Sequence, residues 1–374
     1  MGDALPALDR FALAVAHLPG AADGDRAGGA WYDVTAIADG HLAIVVGDVG
    51  AAPTSVARQL CRVVAGLGSE RRSPAAALEA LDGAARGIPG SSGSAALCLT
   101  LDPAGVLRWS VAGHPPPLTV GPGGARQLPG GQGEPLGRPS RPRFTQAEEA
   151  LAAGTTVVLG IDGSDMLSPA TVDGPDPFST ALEQHHGLAP DAMAAALVSQ
   201  ASGGSPAWPG RTVLLARLMP PPLEQRLPAD PRRLSAVRRR VAGWSALAAL
   251  SEDTTADLQL LLSEAASNAV EHAYRETEAG EFVYSVRRGA DAGIQVVVQA
   301  FGRWRPLPDD PGYRGRGLAV IHNLADEVTL DVSDHGTRIA FTMPGHIPPL
   351  GNSPLTAATR GWTPASEPSE GPSR

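Results

Sequence analysis

Residues Leu258–Tyr274 have the sequence LQLLLSEAASNAVEHAY, and this stretch decides the fold of the second half of the chain. Its apolar residues recur every three or four positions, which predicts an amphipathic helix with one buried stripe. Glu264 and Asn268 are one helical turn apart and therefore share a side of that helix. A carboxylate and a carboxamide in this arrangement could hold a magnesium ion and orient a water. A solvated polar face is the competing interpretation.

A glycine-rich segment follows further along the chain, at Gly312–Leu318, with the sequence GYRGRGL. It runs into an apolar helix start at Leu318–Ile321. Free N–H groups at a helix N-terminus can receive phosphate. The glycine segment therefore favours a phosphate site over a merely solvated helix face.

These segments belong to a set of motifs that resembles the ATP-binding domain of the GHKL class, in the branch of anti-sigma-factor serine kinases (RsbW-like). The motifs are SEAASNAVEHAY, GRWRP at Gly302–Pro306, GYRGRGL, and HGTRIAFTMP at His335–Pro344. The resemblance implies a GHKL-type two-layer α/β sandwich over residues 231–344 that binds Mg-ATP. It further implies that Glu264 is the general base and that Asn268 carries the magnesium ion. Implied nucleotide contacts are Asn268, Gly302, Gly312, Gly315, Gly317 and Thr337.

One position departs from this pattern. Members of the branch have an aspartate two residues before the Gly302 glycine, and it accepts the adenine amino group. Here that position is Ala300. We therefore expect weak nucleotide binding that selects poorly for adenine.

Composition limits the classes of protein to consider. The chain has 374 residues and 43% hydrophobic residues, which is enough for two domains with cores. It contains no lysine, which excludes lysine-based catalysis. The formal charge of −9 argues against a nucleic-acid backbone as the main partner. The one triple basic run, Arg238–Arg240, is interpreted as a solvated helix face.

Cysteine usage and hydropathy bear on location. Cys61 and Cys98 lie in apolar surroundings without paired spacing, which indicates buried thiols in a reducing compartment. No uninterrupted apolar run reaches the roughly 18 residues of a membrane span, and no signal peptide is recognisable. A cytoplasmic location without a membrane partner is expected.

In the first half of the chain, two apolar runs each deliver an aspartate. Leu42–Val46 predicts a buried strand followed by Asp48, and Thr155–Leu159 predicts one followed by Asp162. A carboxylate just past a buried strand is well placed to bind a ligand because the sheet fixes its position. His114 lies in AGHPPPL, a rigid extended segment, and a structural role is the favoured interpretation for it.

Taken in order, residues 1–218 resemble the SpoIIE/RsbU-like branch of the PPM-type serine/threonine phosphatases. The matching motifs are GGAWYD, VVGDV, AGHPPPL, EPLG, IDG and TVLLARL. The resemblance implies an α+β fold, an α-β-β-α sandwich with two antiparallel sheets packed face to face. It also implies manganese or magnesium ions, held by aspartates, that activate a water to attack a phosphoserine.

The implied ligand set is four aspartates, and two of them remain as Asp48 and Asp162. Ala30 stands at the position of the first, and Pro209–Gly210 replaces the last. Asp33 corresponds to the neighbour of a ligand. We expect one weakly bound ion and little hydrolysis. In the competing interpretation, Asp48 and Asp162 are the remainder of a lost site.

Two further segments divide the chain. Residues 219–230, MPPPLEQRLPAD, are predicted to form a short, semi-rigid, proline-rich linker. Residues 345–374 are rich in Pro, Ser, Thr and Gly and are predicted to be a disordered tail.

The combined expectation is a bacterial partner-switching regulator, a SpoIIE-like phosphatase domain fused to an RsbW-like ATP-binding domain. By resemblance, its partner is a STAS-type anti-sigma antagonist, a sigma factor, or both. The alternative is a catalytically inactive scaffold that binds such a partner. A sensor histidine kinase is less favoured because no dimerising phospho-acceptor helix precedes the ATP domain. The sequence leaves open whether the chain is a monomer or a homodimer.

Overall fold

The computed structural model describes residues 5–6, 8–18, 29–68, 73–140, 142–161, 177–202, 211–273, 280–289, 293–302, 316–333 and 336–344. Several predicted features lie outside these residues. They are Asp162, the Pro209–Gly210 segment, Gly312, Gly315 and the tail 345–374.

The first half of the chain forms ten strands and four helices within the described residues. In chain order they are β1 (Phe11–Leu18), β2 (Ala30–Ile37), β3 (His41–Asp48), α1 (Thr54–Ala65), α2 (Pro74–Ala85), β4 (Ala95–Leu101), β5 (Val106–Ala112), β6 (Leu118–Gly121), β7 (Gly124–Gln127), β8 (Ala147–Ala150), β9 (Thr156–Gly160), α3 (Pro177–His185), α4 (Pro190–Ser202) and β10 (Arg211–Leu218).

These strands make two five-stranded antiparallel sheets, ordered β1-β10-β9-β6-β7 and β2-β3-β4-β5-β8. Alternation along β3 shows how they pack. Leu42, Ile44 and Val46 face the other sheet, whereas Val45 faces α1 and α2. Helices α3 and α4 cover the outer face of the first sheet. The predicted α-β-β-α sandwich is therefore confirmed.

The second half forms five strands and three helices among the described residues. They are β11 (Leu223–Pro228), α5 (Leu234–Leu247), α6 (Glu252–Ala273), β12 (Glu281–Arg288), β13 (Ile294–Ala300), α7 (Arg316–Leu324), β14 (Glu327–Ser333) and β15 (Gly336–Met343). The sheet has the order β11-β12-β13-β15-β14. The predicted stripe of α6, including Leu258, Leu261 and Leu262, is almost fully buried against one face of it. Burying a leucine contributes about 1.5–3 kcal/mol, so this stripe anchors the layer.

The predicted linker 219–230 is wrong over half its length. Leu223–Pro228 pairs with β12 as the edge strand of the second sheet. Leu223 and Leu227 pack against the core while Glu224 and Arg226 are exposed, which is strand alternation. The prolines around this segment favoured the prediction of a linker. Proline is, however, tolerated in an edge strand.

A narrow seam joins the two halves. Met219 N donates to Arg10 O (2.9 Å), and an Arg288 guanidinium N–H donates to Phe11 O (3.3 Å). Gly154 lies against Leu247 at the end of α5. Ala12 and Met219 belong to the same apolar cluster as the core of the second half. We call this contact the seam.

Candidate functional sites

Asp48 lies at the C-terminal end of β3. Side chains alternate along a strand, so Asp48 lies on the same face as Ile44 and Val46. This is the face that packs against the other sheet. Its Oδ1 accepts a hydrogen bond from Gly50 N (2.8 Å), which fixes the carboxylate at the start of the following turn. Asp48 is thus held at the open edge between the two sheets.

Ala30 is the direct cross-strand partner of Asp48. It packs against the core between the sheets, so both side chains share one face. The preceding residue must be glycine, because a Cβ at Gly29 would lie 2.2 Å from Val49 Cγ2. A carboxylate at position 30 would therefore stand beside Asp48.

Asp33 lies on the opposite face of β2 and therefore cannot take the place of a carboxylate at position 30. Its parity with Trp31 turns it toward α1. Its Oδ2 accepts from the Thr35 hydroxyl (2.9 Å). Burial, and to a lesser degree the Asp33 charge, raises the pKa of the Cys61 thiol on α1 to about 11.

His114 lies at the same edge of the sheet as Asp48, a relationship that sequence reasoning missed. It follows β5, which runs in the same direction as β3, so both strands end at one edge. The side chain is 6% exposed, and its Nδ1 lies 2.8 Å from Pro115 O. Burial lowers the pKa of His114, whereas the carbonyls of Pro115 and Gly160 and the charge of Asp48 act to raise it. We call the region formed by Asp48, His114 and Gly160 the strand-end site.

The loop Glu134–Gly137 (EPLG) packs against the segment that leads into His114. Pro135 packs on Gly113, where a Cβ would lie 2.5 Å from Pro135 Cγ and where φ is +62°. Asp82 on α2 is buried, and its Oδ1 accepts from Gly137 N (2.7 Å). The position of His114 is thereby tied to the helix layer.

A complete two-metal cage is not present in the described part of the chain. No cluster of three or more His, Cys, Asp or Glu side chains suited to a metal occurs there. Asp162, the second predicted ligand, lies outside the described residues. The roles of Asp48 and Asp162 stay predictions.

In the second half, α6 and the start of α7 meet at Glu264, Asn268 and Gly317. A Cβ at Gly317 would lie 2.6 Å from Glu264 Oε2 and 3.6 Å from Asn268 Nδ2. The first turn of α7 therefore rests directly on the carboxylate and the carboxamide. A helix start in this position can present N–H groups to phosphate.

Two buried polar atoms in this region have no hydrogen-bond partner among the described residues, namely Asn268 Nδ2 and Thr337 Oγ1. Buried polar groups are usually satisfied, so such atoms indicate a ligand. Thr337 pairs with Ala300 across β13 and β15, and both are nearly fully buried. This arrangement fits Mg-ATP at the phosphate end. At the base end Ala300 offers no carboxylate. Gly302 is partly buried just beyond Ala300.

Comparison with known proteins identifies both halves. Residues 38–208 match the family model for stage II sporulation protein E (SpoIIE), and residues 227–343 match that for the histidine kinase-like ATPase domain. The serine-protein kinase RsbW of Bacillus velezensis is 31% identical over 136 residues. The match covers 32% of this chain and 83% of that protein. The chain belongs to the RsbW family. RsbW of Bacillus subtilis is also 31% identical, over 137 residues.

Two solved structures are among those similar to this chain. The RsbU and RsbW domains of Rv1364c from Mycobacterium tuberculosis cover 91% of this chain and 96% of that chain, with 26% identity and a TM-score of 0.48. The SiaA-PP2C domain of Pseudomonas aeruginosa covers 56% of this chain and 85% of that chain, with 20% identity and a TM-score of 0.43.

The two family-model matches confirm the predicted fusion of a SpoIIE-like phosphatase domain with an RsbW-like kinase domain. Phosphatases of the first class depend on metal ions, and ATPase domains of the second class bind ATP. Within the described residues of this RsbW family member, no helix is both long and apolar enough to cross a membrane.

Proposed function

We propose that this chain is a bacterial partner-switching regulator acting on a small STAS-type anti-sigma antagonist. Its SpoIIE-like domain removes phosphate from a serine of that antagonist, using a manganese or magnesium ion. Its RsbW-like domain binds Mg-ATP and phosphorylates the antagonist or captures a sigma factor. The assembly of Glu264, Asn268 and Gly317 at one point of the second domain carries the proposal.

The candidate site residues divide into those of the kinase domain and those of the phosphatase domain. Glu264 takes the proton from the acceptor serine, and Asn268 holds the magnesium ion through its side-chain oxygen. Gly302, Gly317 and Thr337 lie around the nucleotide, with Gly312 and Gly315 in the glycine loop. Asp48, with Asp162, holds the phosphatase metal.

Both activities are weak in this proposal. Hard divalent cations need oxygen ligands, chiefly carboxylates, to bind and to offset their charge. Ala30 removes one carboxylate from the face that holds Asp48, and Ala300 removes the acceptor for the adenine amino group. The first loss lowers metal occupancy, and the second lowers ATP affinity.

The full chain can be tested with a STAS-type antagonist, radiolabelled ATP and magnesium. We expect slow transfer of label to a serine, abolished by Glu264→Gln. Addition of manganese should release the label slowly, and Asp48→Asn should stop the release without affecting transfer. Glu252→Gln, at the exposed start of the same helix, is the matched control for the first variant. Absence of both transfer and release would contradict the proposal.

A scaffold that only binds the antagonist or the sigma factor is the second candidate, favoured by the alanines at positions 30 and 300. It predicts capture of the partner by the wild type, Glu264→Gln and Asp48→Asn with equal affinity, without any transfer of phosphate. Equilibrium binding of a fluorescent partner to these proteins separates the two candidates.

A further inference from the structure

Asp82 is a buried carboxylate to which the proposed reactions assign no role. Its side chain, on α2, is only 3% exposed, although aspartate is rarely buried unless it is paired. Each of its oxygens has a partner. Oδ1 accepts a hydrogen bond from Gly137 N (2.7 Å), and Oδ2 forms an ion pair with Arg86 one helical turn further along α2. The helix layer therefore binds the main chain of a distant segment through a charge that is shielded from water.

The loop that ends at Gly137 is bound by its main chain to the segment that leads into β4. Gly93 N donates to Leu136 O (2.8 Å), and Leu136 N donates to Ser94 O (2.9 Å). These two hydrogen bonds hold the segments side by side. Because Gly137 directly follows Leu136, its bond to Asp82 determines where the pair of segments lies against α2.

Asp48 is next to this pair of segments in the sheet. Ala95 begins β4 directly after Ser94, and it is the cross-strand partner of Asp48. A path of hydrogen bonds and consecutive residues therefore leads from Asp82 through Leu136 to Asp48.

The same loop also holds the end of β5. Gly113 N donates to Gly133 O (2.9 Å), and Pro135 packs on Gly113. Gly113 in turn bridges to Ala96, the second residue of β4. One loop thus fixes the ends of both strands, and Asp82 fixes the loop.

We infer that Asp82 is a positioning residue for the strand-end site, because its bond to Gly137 holds the loop that determines the position of Asp48. The inference rests on the proposed metal dependence of the SpoIIE-like domain, in which Asp48 is a ligand. Functional side chains must be held to within about 0.5 Å of their productive positions, and the residues behind them supply this precision. Such support matters more here because Ala30 contributes no second carboxylate.

The two oxygens of Asp82 allow this role to be separated from a general contribution to stability. Asp82→Ala removes both contacts. Asp82→Asn keeps an oxygen that can accept from Gly137 N but loses the charge paired with Arg86. Arg86→Gln loses the same ion pair and keeps the carboxylate. If the bond to Gly137 positions the site, only Asp82→Ala should impair it.

The first measurement is the Mn²⁺ affinity of the full chain by calorimetric titration, without nucleotide so that the ATP site does not take up the metal. It is made at a temperature at which circular dichroism shows every variant to be folded. We expect Asp82→Ala to weaken Mn²⁺ binding by about 10-fold, the lower end of the range for residues that orient a ligand. Asp82→Asn and Arg86→Gln should keep the affinity of the wild type, although loss of the ion pair lowers their melting temperatures. Glu79→Ala, exposed on the same helix, is the matched control and should keep the affinity.

The second measurement needs no metal. Hydrogen exchange followed by nuclear magnetic resonance reports on the amides of Gly93, Leu136 and Gly137. We expect them to be protected in the wild type and to exchange faster in Asp82→Ala, while Leu101 at the opposite end of β4 keeps its rate. A uniform rise that includes Leu101 would show a loss of global stability and would overturn the inference.

The remaining outcomes separate this inference from the proposed function. If Asp82→Ala does not fold, Asp82→Leu replaces it, since leucine fills a similar volume and cannot accept a hydrogen bond. Wild-type Mn²⁺ affinity in either folded variant, or rapid exchange of Gly137 in the wild type, overturns the role of Asp82 and leaves a metal-dependent domain intact. Absence of any Mn²⁺ binding to the wild type contradicts both.

Discussion

Ala30 and Asp48 face each other across the β2–β3 pair, on the side that packs against the second sheet of the SpoIIE-like domain. Directly paired residues of an antiparallel pair have Cβ atoms about 4.5–5.5 Å apart. Two carboxylates at this distance can share a divalent cation. Without such a cation the two carboxylates repel each other.

We expect Ala30→Asp to lower the melting temperature of the metal-free protein and to raise it when manganese is added. Binding to the folded state alone stabilises it by about 2.7 kcal/mol at 100 times the dissociation constant. The wild type should gain less from the same concentration. Differential scanning calorimetry with and without Mn²⁺ measures both shifts.

Ala36→Asp is the control for this substitution. Ala36 is exposed on the same strand, far from Asp48, so the added charge there should not respond to manganese. An equal manganese-dependent shift in both variants would show that position 30 does not face the metal.

Ala300→Asp should increase ATP affinity. An unmatched buried polar group costs about 1–3 kcal/mol, so an acceptor for the adenine amino group should tighten binding by about 5- to 150-fold. GTP affinity should not increase, because guanine carries an oxygen at that position. Calorimetric titration of both nucleotides gives the ratio. Gln299→Asp, on the opposite face of β13, is the control, and equal gains for ATP and GTP would count against the assignment.

Thr337→Val should have opposite effects on folding and on binding. The Thr337 hydroxyl is buried without a partner among the described residues, so its removal should raise the free energy of unfolding of the nucleotide-free protein by about 1 kcal/mol. ATP affinity should fall because a contact to the base is lost. Urea unfolding and nucleotide titration measure the two effects. Thr329→Val, on the exposed strand β14, should leave ATP affinity unchanged. A variant that loses stability instead would indicate that the hydroxyl has a partner in the folded protein.

Cys61 should react slowly with alkylating agents at pH 8. Its pKa rises from 9.0 to about 11 in the folded protein, so the thiolate is scarce there. The unfolded thiol ionises first. The resulting contribution to stability is therefore present below about pH 9 and is lost progressively up to about pH 11. Iodoacetamide labelling followed by mass spectrometry at several pH values gives the profile. Cys61→Ala should remove that part of the pH dependence, and rapid labelling at pH 8 would contradict the assignment.

Local patterns in the sequence predicted the elements whose causes are local. The spacing of Leu258, Leu261 and Leu262 predicted α6. Ser73 caps α2 through a contact within one helical turn, since its hydroxyl accepts from Ala76 N. The edge strand β11 was missed because prolines surround its short alternating pattern. Proximity was harder to foresee. That Thr337 faces Ala300 depends on the register of β15 against β13. That His114 meets Gly160 depends on how two sheets stack. Neither relation can be recognised from the residues that are adjacent in the sequence.

The seam lies at the ends of the strands that are remote from both sites. Leu218 and Phe11 pair at one end of the first sheet, while Gly160 lies toward the other. Arg288 contacts Phe11, while Ala300 pairs with Phe282 at the far end of β12. Roughly 15–20 Å of strand therefore separates the seam from each site. In the proposed function, an antagonist molecule that leaves one site must cross this distance before it reaches the other.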